Sequence, residues 1–135
     1  MSLDDALAQA IASIPGCLAV GYVDTVTGMP LGITGEGSLP RDAVELLAAT
    51  TSDFFRSPHV VTIDKLLSKA KIDSEDDEDT PFREFIVLSQ NLIHLFVRGK
   101  RYPDHVLLSV TPSNVNLGLV LHKTHGAVDV IEAAL

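Results

Sequence analysis

The sequence has no tryptophan, one cysteine and only 5% aromatic residues. A lone cysteine, Cys17, excludes an intrachain disulfide and any zinc site built on several thiolates. With so few aromatics, the core has to be assembled from Leu, Ile, Val and Ala. Basic residues are also scarce: ten Lys and Arg against eighteen Asp and Glu give a net charge of −8. Duplex binding needs clustered cations to displace counterions, so no nucleic-acid partner is expected. No uninterrupted apolar run reaches membrane-spanning length, and no basic segment followed by an apolar one opens the chain. No membrane insertion is expected, and a reducing cytoplasm is the expected location.

Recognisable catalytic motifs are missing as well. The phosphate loop, the dinucleotide fingerprint, the nucleophile elbow and the helical zinc-protease motif are all absent. Gly32, Gly35 and Gly37 lack dinucleotide spacing and open no helix, so they read as loop glycines. Ser89, Ser109 and Thr111 are strand hydroxyls with no activating neighbour in sequence. No catalytic residue, no cofactor and no metal ligand is assigned, and the chain is not expected to be an enzyme.

What is present suits one domain spanning 1–135, with 46% hydrophobic and 21% charged residues. The charge is concentrated. Asp73-Ser74-Glu75-Asp76-Asp77-Glu78-Asp79 supplies six negative charges, and the rest of the chain is nearly neutral. Asp73, Glu75, Asp77, Asp79 and Glu84 fall at the ligand positions of a notional calcium loop. Glu78, however, stands where that loop needs glycine, and a strand follows where a helix should. The run therefore reads as a solvated charged segment.

Periodicity sets the element order. Leu7, Ala10, Ile11 and Ile14 recur at helical spacing until Pro15-Gly16 stops them. Cys17 to Asp24 is apolar at both parities, which predicts a strand buried on both faces. Asp24-Thr25-Val26-Thr27-Gly28 makes a turn with Gly28 at positive φ, leading into a second strand over 29–34. Residues 41–56 form a helix with two uncharged stripes. One is Val44, Leu47, Ala48, Thr51 and Phe55; the other is Ala43, Leu46, Thr50 and Phe54. Ser57-Pro58 ends it, and a shorter helix is expected over 62–71. Strands at 83–90, 92–98 and 104–111 are joined by short turns, which makes them an antiparallel meander. The last helix carries the stripe Leu117, Val120, Leu121, Thr124, Val128, Ile131 and Leu135, with Ser113 or Asn114 as its cap.

Histidines stand at 59, 94, 105, 122 and 125. His122 and His125 are three apart on the last helix, close to a metal-sharing spacing, but lie off its apolar stripe with no adjacent carboxylate or cysteine. They read as exposed helix residues. His94 reads as a hydrogen-bonded, partly buried imidazole, and Cys17 as a small core residue.

Several segments together resemble the roadblock/dynein light chain family. They are Pro15-Gly16-Cys17-Leu18-Ala19-Val20-Gly21-Tyr22-Val23-Asp24 with Gly28, the helix at 41–56, and the late hairpin region 83–111. Ser113-Asn114-Val115-Asn116-Leu117-Gly118-Leu119, entering the last helix, completes the set. The resemblance implies an α+β domain of profilin-like or longin-like type. It would have a single five-stranded antiparallel sheet with helices on both faces, in the order α-β-β-α-(α)-β-β-β-α. The 41–56 helix would cover one face and the terminal helices the other, with Gly118 letting the last helix approach the sheet. Between Pro58 and Pro81 the chain departs from the compact family pattern, through an inserted short helix and the acidic run.

Members of the family are usually homodimers, and many are platforms for small Ras-like GTPases or for motor and signalling assemblies. The expected function is thus a non-enzymatic homodimeric adaptor that binds or regulates a small GTPase. Its partners would be itself and that GTPase. The expected dimer interface joins Ala43, Leu46, Thr50 and Phe54 of the helix to Phe85 and Val87 of an edge strand. An arginine finger would come from Arg41, Arg56, Arg83, Arg98 or Arg101, none singled out by its surroundings. The alternative is a small-molecule sensor with a pocket between sheet and helix.

Overall fold

The computed structural model describes residues 1–35, 40–71 and 82–135. The acidic run 73–79 and Gly37 lie outside the described residues. Nine elements follow in the expected order: α1 (Leu3–Ser13), β1 (Ala19–Asp24), β2 (Met29–Gly35), α2 (Arg41–Arg56), α3 (Pro58–Lys71), β3 (Glu84–Leu88), β4 (Leu92–Arg98), β5 (His105–Pro112) and α4 (Leu117–Ala133). The strands form one five-stranded sheet in the order β2-β1-β5-β4-β3. Every neighbouring pair is antiparallel.

Local chemistry explains the element ends. Ser2 and Asp5 form a reciprocal capping box at the start of α1, each side chain accepting from the other's backbone N–H at 3.0–3.1 Å. These bonds favour the ionised carboxylate and hold the Asp5 carboxyl below its ordinary range. Gly28 sits at φ +74 and closes the β1–β2 turn by donating to the Asp24 carbonyl.

Two boundaries differ from the sequence reading. Helix α3 starts at Pro58, not Thr62. Pro58 keeps Ser57 extended (ψ 124), which stops α2, and it then serves in the first turn of α3, where no N–H is needed. One dipeptide ends a helix and starts the next. The cap of α4 is Asn116, whose Oδ1 accepts from Leu119 N at 3.0 Å, rather than Ser113 or Asn114. Ser113 is instead tied to the β3–β4 turn, bonding the carbonyls of Gln90 and Asn91. Gly118 is exposed, and a Cβ there would meet the capping Asn116 oxygen at 3.3 Å. It makes room for the cap and not for the sheet.

The sheet is buried on both faces, as β1 requires; all of Ala19–Val23 is buried. Terminal helices α1 and α4 cover one face through Leu7, Ile14, Val20, Leu95, Leu107, Val120, Val128 and Ile131. Helix α2 covers the other through Ala48, Phe55, Val23, Phe96, Val106 and Leu108. Along the α4 stripe Val120, Thr124, Val128 and Ile131 are buried, while Leu117 and Leu121 are half-buried. Leu135 is 48% exposed, because the helix ends at Ala133 before the stripe reaches it. Cys17 is a buried core residue whose thiol donates to the Ala19 carbonyl.

Polar groups pin the β4–β5 turn. Glu132 of α4 is 3% exposed, and its Oε2 accepts from the backbone N–H of Arg101 and Tyr102 at 2.9 and 3.0 Å. Tyr22, fully buried, shares a 3.0 Å hydrogen bond with His105 Nδ1, and Tyr102 stacks on that imidazole.

Candidate protein-interaction surface

The expected interface residues fall on α2 and on β3, which the sheet order makes an edge strand. Edge backbone groups pointing outwards have no strand to pair with. Along β3, Phe85 and Val87 share the α2 face of the sheet, and Glu84, Ile86 and Leu88 share the other. Ile86, Val87 and Leu88 are 41%, 38% and 65% exposed. Three consecutive apolar residues on an uncovered edge are an aggregation hazard unless a partner covers them.

Helix α2 has the two stripes its sequence predicts, with one difference. Ala48, Thr51 and Phe55 are buried and Val44 and Leu47 half-buried, so the first stripe faces the sheet. On the second, Leu46 and Thr50 are exposed and Ala43 is half-buried. Phe54 does not stand clear of the sheet. Its ring stacks on Phe85 at 5.4 Å and meets Phe96 edge-on at 5.5 Å. Phe55 meets Phe85 edge-on at 4.9 Å, and Phe82 lies 5.1 Å from the same ring. Adjacent phenylalanines can both turn inwards because α2 spans from β2 to the β3 edge, where Phe85 fills the gap between them. The six residues thus divide: Phe54 and Phe85 hold α2 to β3, Leu46, Thr50 and Val87 are open to contact, and Ala43 is half-buried between the two sets.

Next to this surface, Arg98 fixes three segments. Its guanidinium donates to the carbonyls of Phe82, Pro103 and Phe55 at 2.6–3.4 Å and lies 5.0 Å over the Phe55 ring. Burial lowers its pKa from the ordinary arginine value. Arg56 bonds Asp104 at 3.1 Å and Thr25 at 3.3 Å. Both arginines are committed to the fold. Arg83 and Arg101 are exposed, and the Arg41 side chain lies outside the description. Sequence reasoning missed the roles of Arg98 and Glu132, since their partners are backbone groups distant along the chain.

Helix α3 adds Ile63, Leu66 and Leu67, 54–65% exposed and at i, i+3, i+4 spacing. It packs chiefly on α2, and among the described residues no strand pairs with the outer edge of β3. His122 and His125 are exposed, as expected. His125, however, finds a carboxylate that its sequence neighbours did not offer: Nε2 lies 2.7 Å from Glu84 Oε1. Glu84 is thus part of a surface pair. Among the described residues no group of three His, Cys, Asp or Glu side chains could hold a metal. The His94 ring is half-buried, and no hydrogen bond to it appears among the described residues. A cleft of about 420 Å³ between β2 and α2 is lined by Pro30, Leu31, Ile33 and Val44, with no charged side chain among the described residues that line it.

No protein-family model matches the chain, nor does any curated protein. Solved structures do. A Roadblock/LC7 domain from Streptomyces avermitilis is 12% identical, with 98% of this chain and 97% of that one covered, at a TM-score of 0.69. MglB of Myxococcus xanthus is 14% identical over 97% and 92%, at 0.74. The gliding protein MglB from Thermus thermophilus is 15% identical over 98% and 87%, at 0.73. Such low identities over nearly whole chains establish the architecture: this is a roadblock-type α+β fold. Among the described residues, no helix is long and apolar enough to cross a membrane.

Proposed function

We propose that this protein is a non-enzymatic homodimeric adaptor of the cytoplasm that binds a small Ras-like GTPase. The observation that carries this reading is the β3 edge, unpaired among the described residues, with its apolar Ile86, Val87 and Leu88, beside exposed Leu46 of α2. Pairing two β3 edges across a two-fold axis satisfies their outward backbone groups and continues one sheet through both subunits. The same axis brings the two α2 helices together at Ala43, Leu46 and Thr50. The roadblock-type fold supports an adaptor role, and the resemblance of the sequence to that family points to the GTPase.

Light scattering during size-exclusion chromatography tests the dimer. Leu46→Glu should halve the mass of the parent assembly, because an unpaired charge at an apolar contact costs several kcal/mol. A parent already at the single-chain mass at tens of micromolar would end the reading. The GTPase arm is tested by titrating a small Ras-like GTPase loaded with a GTP analogue or with GDP. Nucleotide-dependent binding is the expected outcome. The β2–α2 cleft supports a sensor as the second reading, and a ligand-dependent rise in melting temperature would favour it.

A further inference from the structure

Gly126 stands in the middle of α4, and nothing among the described residues requires it to be glycine. A Cβ built there meets no atom within 4 Å, and its φ is not in the left-handed region. Mid-helix glycine is less stable than alanine, so the missing methyl group leaves room for something outside the chain. Beside it a cavity of about 390 Å³ runs between α1 and α4, lined by Gln9, Ser13, His122, Lys123 and Asp129 among others.

The charges around Gly126 complement themselves. His122 and Lys123 precede it by four and three residues, while Asp129 and Val130 follow by three and four. These spacings put all five residues on one face of the helix. Leu119 and Ala133, seven residues to either side, extend the same face, and both are exposed. Lys123 has no ion-pair partner among the described residues. Asp129 has only an exposed 3.5 Å contact with Lys100, a weak pair at that exposure.

We propose that the outer face of α4 centred on Gly126 binds the same face of a second copy of this chain. An antiparallel crossing with the two-fold axis at Gly126 sets His122 and Lys123 of each copy against Asp129 of the other. Leu119 of each lies against Ala133 of the other. The absent Cβ lets the two backbones approach at the crossing point. This contact is separate from the α2–β3 pairing, since α4 lies on the opposite face of the sheet. Together, the two contacts would join more than two chains, closing at four where the two-fold axes cross at right angles.

Cross-linking tests the contact without reference to the α2–β3 dimer. Leu119→Cys combined with Ala133→Cys, made in the Leu46→Glu background, faces a thiol of each copy with one of the other while leaving Gly126 unaltered, and native Cys17 is buried and does not compete. Mild oxidation should yield a covalent species of twice the 14.5 kDa chain mass. It should form about tenfold faster than with Val26→Cys, an exposed control far from any axis. Adding Lys123→Asp should slow the reaction about tenfold by facing Asp129 with a like charge, and Asp129→Lys added to that variant should restore the rate. Equal rates for the two cysteine variants would overturn the proposal, as would indifference to the charge reversal. Efficient cross-linking with failure of Leu46→Glu to change the mass would retain this contact and reject the α2–β3 dimer.

Discussion

The two edges of the sheet are built differently, although each ends the same antiparallel ladder. At the β2 edge, Pro30 removes a donor opposite Val23, and the pairing register shifts between Tyr22 and Val23. Leu3 and Leu7 of α1 press on Gly32, and α2 leans over the same strand through Val44. The edge is twisted, short of donors and flanked by helices. At the β3 edge there is no proline or bulge, and apolar side chains stand exposed on both faces. An edge blunted on one side and left smooth and apolar on the other has a preferred direction of growth. In the proposed dimer, that asymmetry limits sheet continuation to one side, so pairing through β3 would stop at two chains.

The largest effect should come from giving β3 the protection that β2 has. Val87→Lys places a charge on the edge and should halve the mass of the parent assembly by light scattering. It should change the chain's own unfolding free energy by no more than about 0.5 kcal/mol, as for a surface residue. An unchanged mass would remove the functional contrast between the edges. The next effect separates contact from anchoring. Phe85→Ala removes the ring that Phe54, Phe55 and Phe82 meet and should cost about 3 kcal/mol, whereas Leu31→Ala on exposed β2 should cost less than about 0.5. Similar urea midpoints for the two variants would show that α2 is not held at the β3 end.

The smallest effect on association should come from the middle of the sheet. Burial, with the nearby Glu132 charge and then Tyr102, raises the Tyr22 pKa above its ordinary value of 10. A raised folded-state pKa gives stability that is intact below pH 10 and is lost as pH rises towards the folded value. Unfolding midpoints should therefore fall as pH climbs above 10 in the parent, and less so in Tyr22→Phe. The chain mass should not respond to this substitution, because β1 touches neither the β3 edge nor the outer face of α4. A change in mass would tie the edge to the interior.

Which helix lies on which face of the sheet came from the resemblance to the roadblock family, whereas the sequence by itself determined the number and order of the elements and that the sheet is covered on both faces. Those features rest on local periodicity and turn chemistry, which neighbouring residues encode: alternation at both parities in β1, a 3–4 stripe in α4, glycine at the β1–β2 turn. It also marked β3 as an edge strand and α2 as two-sided, since an apolar stripe without a second surface is visible in composition alone. Boundaries set by one dipeptide with two roles, as at Ser57-Pro58, were not legible, because a proline stop and a proline start look alike in sequence. Only the tertiary structure decided that Phe54 turns inwards and that Glu84 meets His125. Arg98 and Glu132 belong to the same class: each is a charged residue in an apolar neighbourhood whose partners are backbone groups brought close by folding. Spacing records which residues share a face of their own element, whereas these contacts depend on which elements pack together and at what angle, and that is fixed by the whole core at once.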